Sequence, residues 1–275
     1  MPERRTRPYP TDLSDAEWAA LGPLLPAPAR TGRPLKWPRR VMAEAIFHLV
    51  RSGCAWRMLP RHFPPRPAVH AQFARWRRDG TVRRMHARLR ELAREAEGRL
   101  PEPSAAIIDS QTARSTGVGG AERGHDPAKR TAGRKRHLLV DAAGLVSLAH
   151  VHAADVPDRA GARSLIEAAP PRALPRLELV RADGAYTGSF ARWLADERGW
   201  RLEIPRHHQR QAWRYGLEEK PKGFQVIPRR WVVERTFAWL SRSRRLARDH
   251  ERLPETGEAM IHAAMSRIML RRLAA

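Results

Sequence analysis

The sequence predicts an α/β protein, a mixed α+β sheet with helices on its faces, preceded by a small all-helical module. Three observations predict it. Apolar residues recur at helical spacing through the first hundred residues. Beyond Pro101-Glu102-Pro103 the pattern changes to short apolar runs alternating with helical stretches. Positive charge collects at the two ends: residues 1–100 carry 21 Lys and Arg against 9 Asp and Glu, residues 101–219 carry 18 against 15, and residues 220–275 carry 13 against 5. That distribution divides the chain into a helical module over 1–100 and a sheet domain over 101–275.

Residues 1–11 read as disordered. Ser14-Asp15-Ala16-Glu17 is a capping box with Leu13 before it, opening a short helix toward Leu25. Pro38 opens a second helix, with Val41, Met42, Ala45, Ile46, Leu49 and Val50 inward and Gly53 as its stop. Pro67 opens a third, burying Val69, Phe73 and Trp76. Its other side carries His70, Gln72, Arg75, Arg77 and Arg78. Thr81 caps a fourth, with Val82, Met85, Leu89 and Leu92 inward. Ala105–Asp109 reads as a buried strand ending in an acid. Arg136–Val140 and Leu145–His152 read as two strands joined by Asp141-Ala142-Ala143-Gly144, after a glycine-rich mobile loop at Ser115–Gly133. Helices follow at about 158–168 and 188–198, and strands at Leu177–Arg181 and Trp200–Ile204. Residues 206–227 read as irregular. The last helices run from Pro228 to about Ala247 and over about 256–273.

The formal charge of +23 implies a polyanionic partner, of which nucleic acid is the usual one. An anionic membrane surface, a solubility bias or the codon bias of a GC-rich genome are the plainer alternatives. The single cysteine, Cys54, permits no internal disulfide, fits a reducing cytoplasm and reads as a small buried apolar residue. No stretch approaches ~18 consecutive apolar residues, and the N-terminus lacks the apolar run of a signal peptide, so neither a membrane span nor export is expected. No phosphate-cradling glycine motif appears, so no ATP requirement is implied. His150 and His152 share a strand face and His207-His208 are adjacent, but without cysteine support a zinc site is not expected.

Three acids stand where chemistry favours them. Asp109 and Asp183 each follow an apolar run, and Glu234 lies on a helix whose core stripe is Val233, Phe237 and Leu240. A carboxylate at the edge of a core needs a partner, and a divalent metal would supply one. Two ions held by three carboxylates drive in-line phosphodiester cleavage, and hard oxygen donors favour Mg²⁺ or Mn²⁺. Taken singly, Asp109 could cap a turn, Asp183 could serve the turn before Gly184, and Glu234 could pair with Arg230. Arg242 and Arg245 follow on the same helix as cations for DNA phosphates. On the third helix, His70, Gln72 and Arg75 could read bases while Arg77 and Arg78 hold phosphates, or the whole could be an ordinary basic packing helix.

These segments resemble the insertion-sequence transposases of family five, which carry an Asp-Asp-Glu triad on a ribonuclease H-like fold. The resemblance runs through Ile107-Ile108-Asp109-Ser110-Gln111-Thr112, Gly133-Arg134-Lys135-Arg136-His137, Ala182-Asp183-Gly184-Ala185-Tyr186 and Arg230-Trp231-Val232-Val233-Glu234-Arg235-Thr236-Phe237. In the helical module it runs through Leu13-Ser14-Asp15-Ala16-Glu17-Trp18, Gly32-Arg33-Pro34 and Gly53-Cys54-Ala55-Trp56. It implies a ribonuclease H-like catalytic domain behind a DNA-binding module that recognises terminal inverted repeats. It further implies Asp109, Asp183 and Glu234 as metal ligands and catalytic residues, Arg230 as a DNA contact, and Lys135 and Arg136 as further DNA contacts. Two positions depart from the pattern: Ile227 stands for a tyrosine, and Ser241 for a basic residue next to Arg242. The implied activity is DNA cleavage and strand transfer on double-stranded DNA, by a homodimer or larger synaptic complex in the bacterial cytoplasm, at the nucleoid. A metal-dependent endonuclease without strand transfer, or a DNA-binding regulator without catalysis, are the other readings.

Overall fold

The computed structural model describes residues 9–27, 31, 35–118, 120, 122–170, 173–204 and 231–275. The Gly32-Arg33-Pro34 motif, the irregular stretch 206–227 with His207, His208 and Ile227, the helix start at Pro228, and Arg230 lie outside the described residues.

Helix α1 spans Asp15–Leu21 and is followed by a 3₁₀ turn, Gly22–Leu24. The capping box forms as the sequence predicts: Glu17 N–H donates to Ser14 Oγ at 3.1 Å, and Ser14 N–H donates to Glu17 Oε2 at 2.7 Å. Helix α2, Arg39–Ser52, stops at Gly53, whose φ of 70° suits glycine. A Cβ there would lie 2.7 Å from Arg244 Cβ, so the same glycine lets the end of α2 touch the segment after Glu234's helix. Helix α3, Arg66–Arg78, buries Val69, Phe73 and Trp76. Helix α4, Thr81–Ala96, has Gly80 rather than Thr81 at its cap; Thr81 N–H instead donates to Asp79 Oδ1 at 2.9 Å.

The sheet holds β1 (Ala105–Arg114), β2 (Gly124–Asp126), β3 (Thr131–Asp141), β4 (Val146–Ala153), β5 (Leu179–Arg181) and β6 (Arg201–Glu203). β3 lies between β4 and β1, both antiparallel to it; β5 and then β6 continue in parallel beyond β1. β2 pairs with the first residues of β3, so the stretch expected to be a mobile loop contributes a strand. Helices α5 (Asp158–Glu167) and α6 (Ser189–Arg198) make the crossovers. Helices α7 (Trp231–Ser241) and α8 (Pro254–Leu273) follow. The sequence reading runs α7 on to Ala247; it stops at Ser241, and Arg244–Leu246 forms a 3₁₀ turn. Among the described residues no helix is long and apolar enough to cross a membrane.

Alternation along the strands sorts the two faces. Ile107, Leu138 and Val140 join α7, α8 and the helices of residues 1–100 in one continuous core. Ala106, Ile108 and Leu139 join α5 and α6 in another. Both faces are therefore covered, which is why these strands read as unbroken apolar runs. Helix α8 lies between the sheet and the N-terminal helices, packing on α4 and β4, with Arg267 ion-paired to Glu17 of α1.

Candidate active site

The parallel ladder between β1 and β5 ends at Ile107 opposite Arg181. Asp109 and Asp183 each lie two residues beyond that pair, on chains that neighbour at ~4.8 Å in a sheet. β1 runs on to Arg114, while β5 stops. Asp109 is thus mid-strand, not at the strand end the sequence suggests. The polar continuation Ser110-Gln111-Thr112 keeps pairing because β3 supplies antiparallel backbone partners in His137, Arg136 and Lys135. Asp183 caps the 3₁₀ turn Gly184–Tyr186, its Oδ1 accepting from Ala185 N–H at 2.9 Å. Asp109 Oδ1 accepts from Ser110 N–H at 2.7 Å.

By parity with Ile107, Asp109 points to the face that α7 covers. Helix α7 is fixed there by Val233, Phe237 and Leu240, the predicted stripe, and by the β3–β4 turn. Thr236 Oγ1 donates to Gly144 O at 2.8 Å and Arg235 to Ala143 O at 3.0 Å. Glu234, between these anchors, is exposed. Register places Asp109 and Asp183 each two residues past one parallel pair. Among the described residues, however, no three His, Cys, Asp or Glu side chains gather closely enough to hold a metal ion. Glu234 is thus on the helix over this face without closing a three-ligand cluster.

Tyr186 marks the centre of the acidic region. The residue is 1% exposed, with Ser110 beside its hydroxyl. Burial first, then the charges of Asp109, Asp158 and Asp183, push the phenol well above its ordinary pKa. Three acids therefore lie close enough to Tyr186 to act on it through their charge, beside the end of β5. Asp158 begins α5 and takes hydrogen bonds from Ser110 Oγ at 2.9 Å and an ion pair from Lys135 Nζ at 3.0 Å. Burial raises its pKa, but those bonds outweigh it and the net shift is downward. Sequence reasoning missed Asp158; an acid directly after Pro157 at a helix start was the available signal.

The expected DNA contacts divide sharply. His70, Arg75 and Arg78 are exposed on α3, Gln72 is half-buried beside them, and Arg242 is exposed just past α7. Four of them are engaged within the protein. Lys135 and Arg136 are neighbours on β3, so they point to opposite faces, and both faces are covered. Lys135 serves Asp158 and Val156 O, and Arg136 donates to Leu246 O and Arg248 O. Arg245 lies off the helix in the 3₁₀ turn and is buried, ion-paired to Glu251 at 2.6 Å. Arg77 is half-buried and donates to Thr256 Oγ1 at 3.1 Å near Glu255, so it ties α3 to α8.

The histidines also pair internally. His150 Nδ1 lies 2.9 Å from Glu258 Oε1, and His137 Nδ1 lies 2.7 Å from His152 Nε2. His152 Nδ1 reaches Ala153 O at 2.8 Å. A carbonyl only accepts, so His152 carries its proton on Nδ1 and His137 donates from Nδ1 to His152 Nε2. Burial first, then the neighbouring His152, lowers His137 to a pKa of about 3, which keeps it neutral. A Cβ on Gly161 would lie 2.3 Å from His152 Nε2, so α5 seats directly on this pair.

Comparison with known proteins accords with this architecture. Residues 13–86 match the family described as "Putative transposase of IS4/5 family (DUF4096)", and residues 100–269 match the "Transposase DDE domain" family. A protein described as "Putative transposase for insertion sequence element IS402", from Burkholderia cepacia, is 32% identical over 169 residues, which is 59% of this chain and 70% of that protein. No solved structure matches. An N-terminal helical region followed by a ribonuclease H-like mixed sheet, with the second family match covering residues 100–269, makes this chain a member of the DDE transposase family of the IS4/5 type.

Proposed function

We infer that this transposase binds the terminal inverted repeats of its own element, cleaves the DNA there, and joins the freed 3′-hydroxyl to target DNA. Asp109, Asp183 and Glu234 are the residues assigned to that chemistry. The observation carrying the assignment is the shared register: Asp109 and Asp183 stand two residues past the same parallel pair, on an acidic edge that also holds Asp158.

The donor set fits a hard divalent cation. It offers carboxylate oxygens, no sulfur, and a concentration of negative charge that a cation would relieve. Asp109 and Asp183 would hold Mg²⁺ or Mn²⁺ first, and Glu234 would complete the set for two ions. Such ions polarise the attacking oxygen and stabilise the leaving oxygen of an in-line displacement. The chain's own residues do the positioning. The β1–β3 ladder fixes Asp109, the Ala185 N–H turns Asp183, and the β3–β4 turn anchors the helix of Glu234. No covalent protein–DNA link is required, so no nucleophilic side chain is assigned. Exposed His70, Arg75 and Arg78, with Gln72, form the DNA-reading side of α3, and residues 1–100 act as the recognition module of a 101–275 catalytic domain. Two ends must be held at once, so the working form is a homodimer or larger synaptic complex, acting on the nucleoid in the cytoplasm.

The test is Mg²⁺- or Mn²⁺-dependent cleavage and joining of DNA carrying the element ends. Asp109→Asn, Asp183→Asn and Glu234→Gln should each lose at least a thousandfold in rate while end binding persists. Cleavage without joining by the wild type would make the protein an endonuclease. Variants that cut as well as the wild type would remove these residues from the site.

A further inference from the structure

A cleft of about 410 Å³ opens between α2, the far end of α7 and α8. Its floor is apolar, from Phe47, Val50 and Ile268. Its rim is guanidinium: Arg51, Arg242 and Arg271 are exposed there, and no Asp or Glu lines it among the described residues. Arg51 donates to Arg242 O at 2.5 Å and Arg271 to Pro10 O at 3.0 Å. A carbonyl orients a guanidinium without cancelling its charge, so these cations keep their full pull on an anion. Arg267 and Arg272, behind them, are held by Glu17 and Glu97. The contrast is a second cleft of about 460 Å³ between α3, α4 and α8, where Glu255 and Glu258 stand beside Arg77 and Arg83 and offset them.

We propose that the α2–α7–α8 cleft is a phosphate clamp for the backbone of DNA, separate from the recognition face of α3. The choice of DNA as the polyanion rests on the transposase reading; the charge argument does not. The cleft takes phosphates rather than bases, because Phe47 is buried in its floor and its indole is already covered. Arg235 and Arg272 lie over the Trp239 indole at 4.6 and 4.7 Å from ring centroid, so a base could stack only by displacing one of them. Arg242 lies eight residues past Glu234, roughly 12 Å at helical rise. Duplex DNA presents about seven charges over that length, one per ~1.7 Å. One DNA segment can therefore lie at Glu234 and in the clamp together.

The experiment measures binding of two labelled duplexes, one carrying the element end and one of random sequence, across a salt series. The full chain is compared with the triple variant Arg51→Ala, Arg242→Ala, Arg271→Ala. Each lost phosphate contact should flatten the slope of log K against log salt by ~0.9, so the triple variant should lose about 2–3 from the slope. Affinity at 0.1 M salt should fall on the order of a hundredfold, equally for both duplexes, because phosphates carry no sequence information. Melting and circular dichroism establish that the variant is folded; if it is not, Arg242→Glu alone is read by the same criterion. Asp109→Asn should keep the wild-type slope, so failure of the triad assignment leaves the clamp standing. An unchanged slope in a folded variant overturns the clamp, as does a loss confined to the element-end duplex. Polyglutamate binding that the triple variant loses while its DNA slope stays fixed also overturns it, giving the cleft to an acidic protein segment.

Discussion

The arginines of β3 and those of α3 carry the same charge and have opposite tasks. Arg134 is fully buried, donating to Asp249, Glu251 O, Arg252 O and Glu122 O, and Arg136 beside it holds the turn after α7. Arg75 and Arg78 stand in solvent on α3. Net charge therefore overstates the surface facing a polyanion: part of the basic excess is internal bracing that ties the 244–252 segment to the sheet. Helical and strand periods decide which arginine does which, through the face each one is given.

Breaking the internal set should have the largest effect. Arg134→Met leaves Asp249 as a buried acid without its cation, and should cost about 3–5 kcal/mol in urea unfolding. A loss below 1 kcal/mol would show that water reaches that acid freely. The next effect comes from pH. Burial first, then Arg83, lowers His262, against an upward pull from Glu258, to a pKa of about 4. The fold thus holds this imidazole neutral, and the unfolded chain takes up the proton first. Stability should be full above pH ~6.5 and fall as pH drops from there toward 4, by on the order of 3 kcal/mol for this group. His262→Gln should flatten that part of the curve; an unaltered curve assigns the acid sensitivity elsewhere, with His137 as the next group to change.

The exposed set sharpens the comparison from the other side. Arg75→Ala and Arg78→Ala should leave stability within ~0.5 kcal/mol and reduce the salt slope of DNA binding by ~0.9 each where they hold phosphates. Arg77→Ala should do the reverse, lowering the melting temperature through its lost tie to Thr256 with little change in slope. Equal behaviour of Arg75 and Arg77 would erase the distinction drawn from their burial. The smallest effect belongs to the capping box, where Ser14→Ala should cost about 1 kcal/mol and leave DNA binding unmoved.

What the sequence made legible follows from its strongest local signals. The capping box, Gly53 and the stripe Val233-Phe237-Leu240 are short-range patterns, and each stands where it was expected. The acids were visible because apolar runs preceded Asp109 and Asp183. The length of β1 was not: its polar second half has no periodic signal and is a strand only because β3 pairs with it. The ion pair of Lys135 with Asp158 was illegible for the same reason, since it joins β3 to α5 and depends on which face each element received. The close approach of Gly53 of α2 to Arg244, just past the end of α7, likewise joins residues far apart in sequence.

Helix α8 closes the same core that Leu13, Leu21 and Leu89 begin. That places a constraint on how the protein is made. During synthesis the N-terminal helices leave the ribosome long before residues 254–273 exist, and until then α4 lacks the helix it packs against most extensively. The first hundred residues therefore cannot complete their packing as they emerge, and a chain released before residue 254 would present that apolar surface to aggregation and proteases. Residues 254–273 therefore complete a core whose other walls are synthesised first.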